Sequence, residues 1–195
     1  MILVDAEKSL AYQNESVEIF NKTPAEQILF GDEIVPGVFL GSYASAKDKD
    51  WLDQNQITHI LTVASGLAPA FPGHFTYKII SIRDHPYENI LAHFDSSAKF
   101  ISNALSKNGR VLVHCQAGVS RSASVIISYL MKTKNMVLDD ALGYVAERRS
   151  IIAPNSGFRQ QLRIYSAMGC SQSSFHIKYL EFRLRVWSKM ITNPL

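Results

Sequence analysis

The segment VLVHCQAGVSRSASVI, residues 111–126, constrains the fold of this chain more than any other stretch. It opens with a short apolar run that ends at His114 and Cys115, and such a run is typical of a fully buried strand. Small and neutral residues follow as far as Arg121, and a second apolar run then begins with helical spacing. A buried strand that turns directly into a helix predicts an α/β domain.

The loop between this strand and this helix has the composition of an anion-binding site. Backbone N–H groups collect at such a turn, and the helix dipole adds partial positive charge there. Positions 116–120 carry no charge, so the backbone itself can approach an anion. Arg121 can hold two oxygens of a tetrahedral anion with its planar guanidinium. The predicted anion-binding residues are Gln116, Ala117, Gly118, Val119, Ser120 and Arg121.

Cys115 lies at the base of this predicted cradle. The same positive field should lower the pKa of its thiol from about 8.5 into a range of roughly 3.5–7.5, which predicts a thiolate aimed at a phosphorus atom. Taken alone, a cysteine at a strand end is usually a packing residue, and Arg121 could be an ordinary residue of a helix surface. Their combination with His114, Gly118 and Ser122 favours the nucleophile.

The run HCQAGVSRSAS resembles the signature of the protein tyrosine phosphatases in its dual-specificity form, His-Cys-x-x-Gly-x-x-Arg-Ser. Four further stretches resemble the same family: VPGVFLGS, ITHILTV, RDHPYENI and APNSGFRQQL. The resemblance covers residues 32–168. It implies a three-layer α/β fold of the protein tyrosine phosphatase type, with a central mixed sheet flanked by helices. It also implies a two-step mechanism through a cysteinyl-phosphate intermediate.

A leaving alkoxide or phenoxide needs a proton, so a carboxylic acid must face the cradle. The segment SIRDHPYENI offers Asp84 and Glu88, and the resemblance places the acid at Asp84. An aspartate in a turn before a proline is also common, and Glu88 is the weaker candidate. We expect Asp84 to act as acid in the first step and as base in the second.

Three further residues take supporting roles from the resemblance. Ser122 corresponds to the family serine that donates a hydrogen bond to the leaving sulfur, although a hydroxyl at a helix start is common in any protein. Asn155 resembles the residue that braces the cradle from a neighbouring turn, and it can cap a helix at the same time. His114 is expected to orient the loop through hydrogen bonds rather than to act as a base.

The resemblance also bears on the substrate. Phosphoinositide phosphatases of this superfamily typically carry lysines inside the loop, and positions 116–120 hold none, which favours protein substrates. No long tyrosine-recognition insert precedes VPGVFLG, so we expect a shallow cleft that accepts phosphotyrosine and phosphoserine or phosphothreonine. His85, Arg148 and Arg149 are candidates for positive charge at its rim, although AERRS is equally typical of a solvated helix end.

Three other functions remain to be weighed. A phosphoprotein-binding module with an inactive site is disfavoured because Cys115, Arg121 and Asp84 are all present. An RNA 5′-triphosphatase would need a basic groove, and the net charge of +3 speaks weakly against it. A redox thiol enzyme would need a second cysteine nearby, and Cys170 is far away in the sequence.

The amino-acid composition limits the cellular compartments and the classes of partner to be expected. The mild charge, without a run of five like charges, does not suggest nucleic acid or an acidic membrane. No apolar stretch approaches the roughly 20 residues that span a bilayer, and the first residues do not have the pattern of a signal peptide. Only two cysteines are present, which predicts a reducing compartment, the cytoplasm or the nucleus. The six histidines are scattered, so we expect no metal and no other cofactor.

Apolar periodicity and turn signals predict the order of the elements. Strands are expected within EIVPGVFLGS, ITHILTVAS, FTYKIISI and RVLVH, with a polar helix over SAKDKDWLDQNQ and an amphipathic helix over 91–105. Further helices are expected over 122–132, over 138–148 and after the turn at APNS. We divide the chain into an N-terminal helical extension (1–31), a catalytic domain (32–168) and a C-terminal amphipathic helix (169–195).

The predicted C-terminal helix has two apolar stripes at about 100° per residue. One stripe contains Phe175, Tyr179, Phe182, Val186 and Met190, and the other contains Ile177, Leu180, Leu184, Trp187 and Ile191. A helix docked on its own domain needs only one apolar face, so the second should meet something else. The acidic N-terminal segment, a second subunit and a membrane surface are the candidates, and the membrane is the poorest because the basic residues do not segregate. We favour a homodimer through this helix.

Overall fold

A computed structural model of the chain describes residues 22–171 and 176–192. The strands are β1 (Asp32–Val35), β2 (Val38–Gly41), β3 (His59–Val63), β4 (Thr76–Ile80) and β5 (Val111–His114). The helices are α1 (Pro24–Leu29), α2 (Tyr43–Lys47), α3 (Lys49–Gln54), α4 (Phe94–Leu105), α5 (Arg121–Lys134), α6 (Leu138–Arg148), α7 (Ser156–Ala167) and α8 (Ile177–Thr192). A 3-10 turn at Leu91–His93 leads into α4.

The five strands of the described ranges form one sheet in the order β1-β2-β5-β3-β4. β2, β5, β3 and β4 run parallel, and β1 pairs antiparallel with β2 at one edge. β5 is central, and its last residue, His114, lies opposite Gly41 of β2 and Thr62 of β3. Because the carboxyl ends of the parallel strands meet at one edge, the loop after β5 opens at the position where α/β sheets bind their ligands.

Helices cover both faces of the sheet. Val111 and Val113 of β5 point into the larger core with residues of α4, α5, α6 and α7, whereas Leu112 points into a smaller core with Leu52 of α3. Side chains alternate between the faces of a strand, so a run of three apolar residues serves two cores. The predicted three-layer α/β fold with a mixed central sheet is confirmed.

The structure departs from the predicted elements at two places. The single polar helix expected over SAKDKDWLDQNQ is two short helices, α2 and α3, that meet at Asp48. Asp48 has extended backbone angles, and its carboxylate accepts a hydrogen bond from Trp51 N at 2.9 Å, so it caps α3 instead of continuing α2. The helix expected from Leu91 begins with the 3-10 turn.

The C-terminal helix α8 presents one apolar stripe to the domain and the other to solvent. Tyr179 and Phe182 are buried. Val186 packs against the same core. On the other stripe Ile177 is 64% exposed and Leu184 is 65% exposed. Phe175 and the side chains of Trp187, Met190 and Ile191 lie outside the described parts, as do residues 1–21 of the predicted N-terminal extension. In the described ranges no helix combines the length and the hydropathy that a membrane span requires.

Candidate active site

The loop of residues 115–121, here called the cradle loop, turns its carbonyl groups outward. Four consecutive carbonyls accept hydrogen bonds from other parts of the domain. Those of Gln116 and Val119 accept from the backbone N–H groups of Tyr43 and Ala153, at 3.1 and 2.9 Å. Those of Ala117 and Gly118 accept from the Arg149 guanidinium, at 3.4 and 2.9 Å. With the carbonyls held outside, the N–H groups of the loop are free to face an anion on the inside.

Arg149 supports this loop from behind. The side chain is completely buried, and its Nη1 also donates to Asp32 Oδ2 at 2.7 Å and to the Phe30 carbonyl at 3.1 Å. Gly118 lies against it with φ of +69°, and a Cβ there would approach Arg149 Nη2 to 2.5 Å and the Gly41 carbonyl oxygen to 2.6 Å. The loop therefore requires glycine at this position for both conformation and space. The hypothesis that Arg149 supplies charge at the rim of the cleft is wrong, because its charge lies beneath the loop.

Cys115 is 1% exposed and lies at the base of the cradle loop. Its Sγ accepts hydrogen bonds from Gly118 N at 3.3 Å and from Ser122 Oγ at 3.2 Å. Burial on its own raises the pKa of the Cys115 thiol, but the hydrogen bonds from the hydroxyl and N–H of Ser122, the charge of Arg121 and the Gly118 N–H hold it below its ordinary value. These contacts all stabilise the thiolate.

Arg121 begins α5 and is 8% exposed. Its Nη1 donates to the Ile82 carbonyl at 3.2 Å, which fixes the guanidinium over the cradle loop. Its Nε makes no hydrogen bond with the described residues and lies 3.6 Å from Asp84 Oδ2. An N–H group buried without a partner is costly unless a ligand accepts from it, and a phosphate oxygen is a suitable acceptor.

Asp84 lies in the loop of residues 83–90, here called the acid loop, and faces the cradle. Its Oδ1 accepts hydrogen bonds from Ser120 Oγ at 2.7 Å and from Asn155 Nδ2 at 2.8 Å. Both of these bonds use Oδ1, whereas Oδ2 faces Arg121 Nε at 3.6 Å. Glu88, the weaker candidate, forms an ion pair with Arg83 at 2.6 Å.

Asn155 makes the contacts that its two expected roles require, and both are present at the same time. Its Oδ1 accepts from Phe158 N at 2.9 Å and caps α7, while its Nδ2 binds Asp84. Its backbone N–H also binds Ser120 Oγ at 3.2 Å. Asn155 and Ser120 thereby connect the start of α7, the cradle loop and the carboxylate.

His114 is buried behind Cys115. Its Nε2 lies 2.8 Å from Thr62 Oγ1, and its Nδ1 lies 3.3 Å from the Cys115 carbonyl oxygen. Burial lowers the pKa of His114 to about 4, so the imidazole is neutral at physiological pH. Both ring nitrogens are engaged, which fits an orienting residue better than a base.

Three residues of the site make contacts that the sequence did not predict. Gln161 of α7 is fully buried, and its amide binds the C-terminal end of the acid loop, through the Glu88 carbonyl at 2.8 Å and Leu91 N at 3.0 Å. Tyr179 of α8 accepts a hydrogen bond from Asn89 Nδ2 at 2.9 Å. The third is Arg149, whose contact with Phe30 joins positions 119 residues apart. Only the tertiary structure brings these pairs together.

Over the described ranges, histidine, cysteine and carboxylate side chains form no group of three that could hold a metal ion. The two cysteines form no disulfide with each other, since both are free. Lys132 of α5 donates to the Cys170 carbonyl at 2.9 Å, whereas Ser122, ten positions earlier on α5, contacts Cys115. Ten helical residues span about 15 Å.

These contacts place an arginine and a carboxylate beside a buried cysteine whose pKa is lowered. The family model "Dual specificity phosphatase, catalytic domain" matches residues 38–168. Dual specificity protein phosphatase 19 of Mus musculus is 48% identical over 132 residues, which cover 68% of this chain and 60% of the mouse protein. Dual specificity protein phosphatase 1B of Arabidopsis thaliana is 44% identical over 67% of this chain and 78% of its own length.

Solved structures agree with these sequence matches. The crystal structure of the human tyrosine phosphatase-like serine/threonine/tyrosine-interacting protein has a TM-score of 0.71 at 41% identity, over 73% of this chain and 99% of that one. The crystal structure of DUSP15 has a TM-score of 0.68 at 31% identity, over 83% of this chain and 97% of that one. The chain belongs to the dual specificity phosphatase family, and it carries the catalytic domain of that family.

Proposed function

We propose that the protein hydrolyses phosphotyrosine and phosphoserine or phosphothreonine in protein substrates through a cysteinyl-phosphate intermediate. The observation that carries the proposal is the Cys115 sulfur, which accepts two hydrogen bonds within a loop whose carbonyls at positions 116–119 are bound by other parts of the domain. The thiolate attacks phosphorus, and the phosphorus–oxygen bond to the substrate breaks. Asp84 Oδ2 gives its proton to the leaving oxygen, and Arg121 binds the oxygens of the transferred phosphoryl group.

In the second step water attacks the phosphoenzyme. Asp84, now a carboxylate, takes a proton from this water, and the sulfur leaves as a thiolate that the Ser122 hydroxyl stabilises by donating a hydrogen bond at 3.2 Å. The products are inorganic phosphate and the free enzyme, so atoms and charges balance. The cradle loop from Gln116 to Ser120 contributes its N–H groups in both steps, and His114 and Asn155 keep it in place.

The nucleophile is tested by Cys115→Ser. We expect this variant to lose turnover of phosphopeptides and to keep binding them, because the loop and Arg121 remain. Substantial hydrolysis by the purified variant would falsify the thiol mechanism. Arg121→Lys should also be severely impaired, since an ammonium cannot reproduce the two-pronged contact of the guanidinium with phosphate.

The role of Asp84 as the acid is tested by comparing substrates with poor and good leaving groups. Asp84→Asn should lower the rate roughly a hundred- to ten-thousandfold for a poor leaving group. The loss should be much smaller for an activated aryl phosphate, which departs without a proton. Glu88→Gln is the matched control on the same loop, and a larger loss in that variant would transfer the role to Glu88.

We further propose that the protein forms a homodimer through the outer stripe of α8. Ile177 and Leu184 are mostly exposed there, and exposed apolar stripes mark interaction surfaces. Leu184→Glu and a chain that ends at Gly169 should both be monomeric by light scattering at concentrations where the full chain is dimeric. A full chain that is monomeric at high concentration would contradict the dimer.

A cytoplasmic or nuclear location is proposed because the mechanism needs a reduced thiol. Cys115 and Cys170 are both free. Fractionation of cells that produce the full chain would test the compartment. Recovery of the protein mainly from an oxidising compartment would contradict the proposal.

A further inference from the structure

The C-terminal helix α8 lies beyond the matched catalytic domain, residues 38–168, and yet it packs beside the acid loop. Tyr179 and Phe182 are 3% and 4% exposed. The Tyr179 hydroxyl accepts the hydrogen bond from Asn89 of the acid loop at 2.9 Å. This partly buried contact fixes one face of α8 close to the loop that carries Asp84.

A pocket of about 340 Å³ lies between α8, the acid loop and the start of α7. Pro86 and Tyr87 of the acid loop and Phe182 and Val186 of α8 supply its apolar walls. Ligand pockets in proteins begin at about 300 Å³, so the space is sufficient for an amino-acid side chain.

The pocket adjoins the proposed catalytic centre on its acid side. Pro86 is two residues from Asp84. Ser156, which also lines the pocket, directly follows Asn155, whose amide binds the Asp84 carboxylate at 2.8 Å. A phosphorylated residue whose ester oxygen faces Asp84 therefore brings residues a few positions along its own chain to the mouth of the pocket.

We propose that this pocket binds an apolar side chain of the phosphoprotein substrate, close in sequence to the phosphorylated residue. This assignment rests on the proposed phosphatase activity. It adds to that activity a preference for substrates that carry an apolar residue near the phosphorylated one. None of the described residues that line the pocket is charged, so an acidic or basic side chain would lose water there without gaining a partner. The amide of Gln160 and the hydroxyl of Ser156 are placed at the same pocket to bind the peptide backbone.

The apolar residues that α8 contributes to the pocket are the reason why we expect an apolar side chain of the substrate to be preferred. Val186 and Phe182 belong to a helix that the shared catalytic domain does not include. The same phosphorylated residue therefore meets an apolar surface in this chain that comes from sequence outside the family match.

The test is a matched series of phosphotyrosine peptides in which each position flanking the phosphotyrosine is alanine, leucine, phenylalanine or aspartate in turn. At one position we expect kcat/KM for the leucine or phenylalanine peptide to exceed that for the aspartate peptide roughly tenfold or more. Each value is normalised to the rate on a small aryl phosphate, which is too short to reach the pocket.

Val186→Glu should bring the normalised ratio of the leucine to the alanine peptide close to one, and Val186→Ala should lower it partly. Arg183→Glu is the matched control, because Arg183 is exposed on the same helix and belongs neither to the pocket lining nor to the outer apolar stripe, and it should keep the ratio. Val186→Ala is the milder change and keeps the test valid if the glutamate variant fails to fold.

A flat peptide profile in the unaltered chain, or an unchanged ratio in a folded Val186 variant, would overturn the pocket assignment while leaving the phosphatase intact. A chain that hydrolyses neither the peptides nor the small aryl phosphate would overturn the phosphatase proposal itself, and the role of the pocket with it.

Discussion

The chemistry of Cys115 depends on hydrogen bonds as much as on the charge of Arg121. The thiol is buried, and burial works against ionisation, so the lowered pKa has to come from the hydrogen-bond donors at the sulfur together with the charge of Arg121. Ser122 supplies two of these contacts, one from its hydroxyl and one from its backbone. Ser122 therefore lowers the pKa of the Cys115 thiol, in addition to its proposed role in the second step.

Replacing Ser122 with alanine should move the pKa of Cys115 upward, because the hydroxyl contact is lost and only the backbone N–H remains. The measurement is the rate of alkylation by iodoacetamide as a function of pH. It is made in a Cys170→Ser background, so that only one thiol reacts. An unchanged pH profile in the Ser122→Ala protein would show that the hydroxyl does not stabilise the thiolate.

At the scale of elements, the cradle loop is held by groups that lie far from it in sequence. Arg149 follows the last residue of α6, and its guanidinium joins the carbonyls of Ala117 and Gly118 to Asp32 at the start of β1. Asp32 also binds Lys22 Nζ at 2.8 Å. The edge strand of the sheet therefore contributes to the shape of the anion site without reaching it.

Arg149→Met should weaken binding of phosphate and destabilise the fold, because the loop carbonyls lose their donors and a buried carboxylate loses a partner. Breaking such a pair typically costs about 3–5 kcal/mol. The inhibition constant of inorganic phosphate and the free energy of unfolding measure the two effects. Arg148→Met is the matched control, since Arg148 lies over the Tyr144 ring at 3.5 Å and donates to none of the loop carbonyls. Equal losses in the two variants would contradict a specific role for Arg149.

The acid loop is clamped by two helices. Gln161 of α7 binds its backbone, and Tyr179 of α8 binds the Asn89 side chain. Gly157 of α7 adds a close approach, since a Cβ there would meet the Pro86 carbonyl oxygen. We infer that Tyr179 is a positioning residue that acts on proton transfer through the loop.

Tyr179→Phe keeps the ring and removes only the hydroxyl. We expect turnover of a poor leaving group to fall roughly fivefold, which corresponds to one net hydrogen bond of about 1 kcal/mol, with little change for an activated aryl phosphate. Steady-state kinetics on phenyl phosphate and on the activated ester give the two values, with Arg183→Ala, at an exposed position of α8, as the control. A loss of the same size on both substrates would point to a general structural effect instead.

At the scale of the whole molecule, the sequence predicted the elements well where the signal was local. The apolar run at 111–114, the spacing over 91–105 and the turn residues around Gly109 are short-range patterns, and they correspond to β5, α4 and the connection between them. The two apolar stripes of α8 were also predicted from the sequence, and the structure shows which of them faces the core.

The remaining features depend on packing between distant segments. AERRS allowed either a rim charge or a solvated helix end, and Arg149 is neither, because only the sheet and the cradle loop together provide its acceptors. The break at Asp48 was not predicted, because an aspartate is common both on the surface of a polar helix and as a helix cap. Gln161 and Tyr179 resembled ordinary helix residues until the acid loop was placed against them.

The histidines make the stability of the whole fold depend on pH. Burial lowers the pKa values of His59, His93 and His114, and that of His114 falls from 6.5 to about 4. Between these two pH values the unfolded chain binds a proton at position 114 that the folded chain does not. The stabilisation is therefore complete above about pH 6.5 and is lost as the pH falls toward 4. For the fully buried His114 alone it amounts to about 3 kcal/mol.

His114→Asn removes this titration, so the free energy of unfolding should fall less steeply between pH 6.5 and pH 4 in the variant than in the unaltered chain. Urea denaturation at a series of pH values measures both slopes, and the difference between them isolates His114 from the carboxylates that also titrate in this range. The variant will be less stable at neutral pH, since Thr62 Oγ1 loses its partner at 2.8 Å, but the comparison concerns slopes and not absolute values. Parallel slopes would mean that His114 binds its proton equally well in the folded and unfolded chain, and the lowered pKa of His114 would then be wrong.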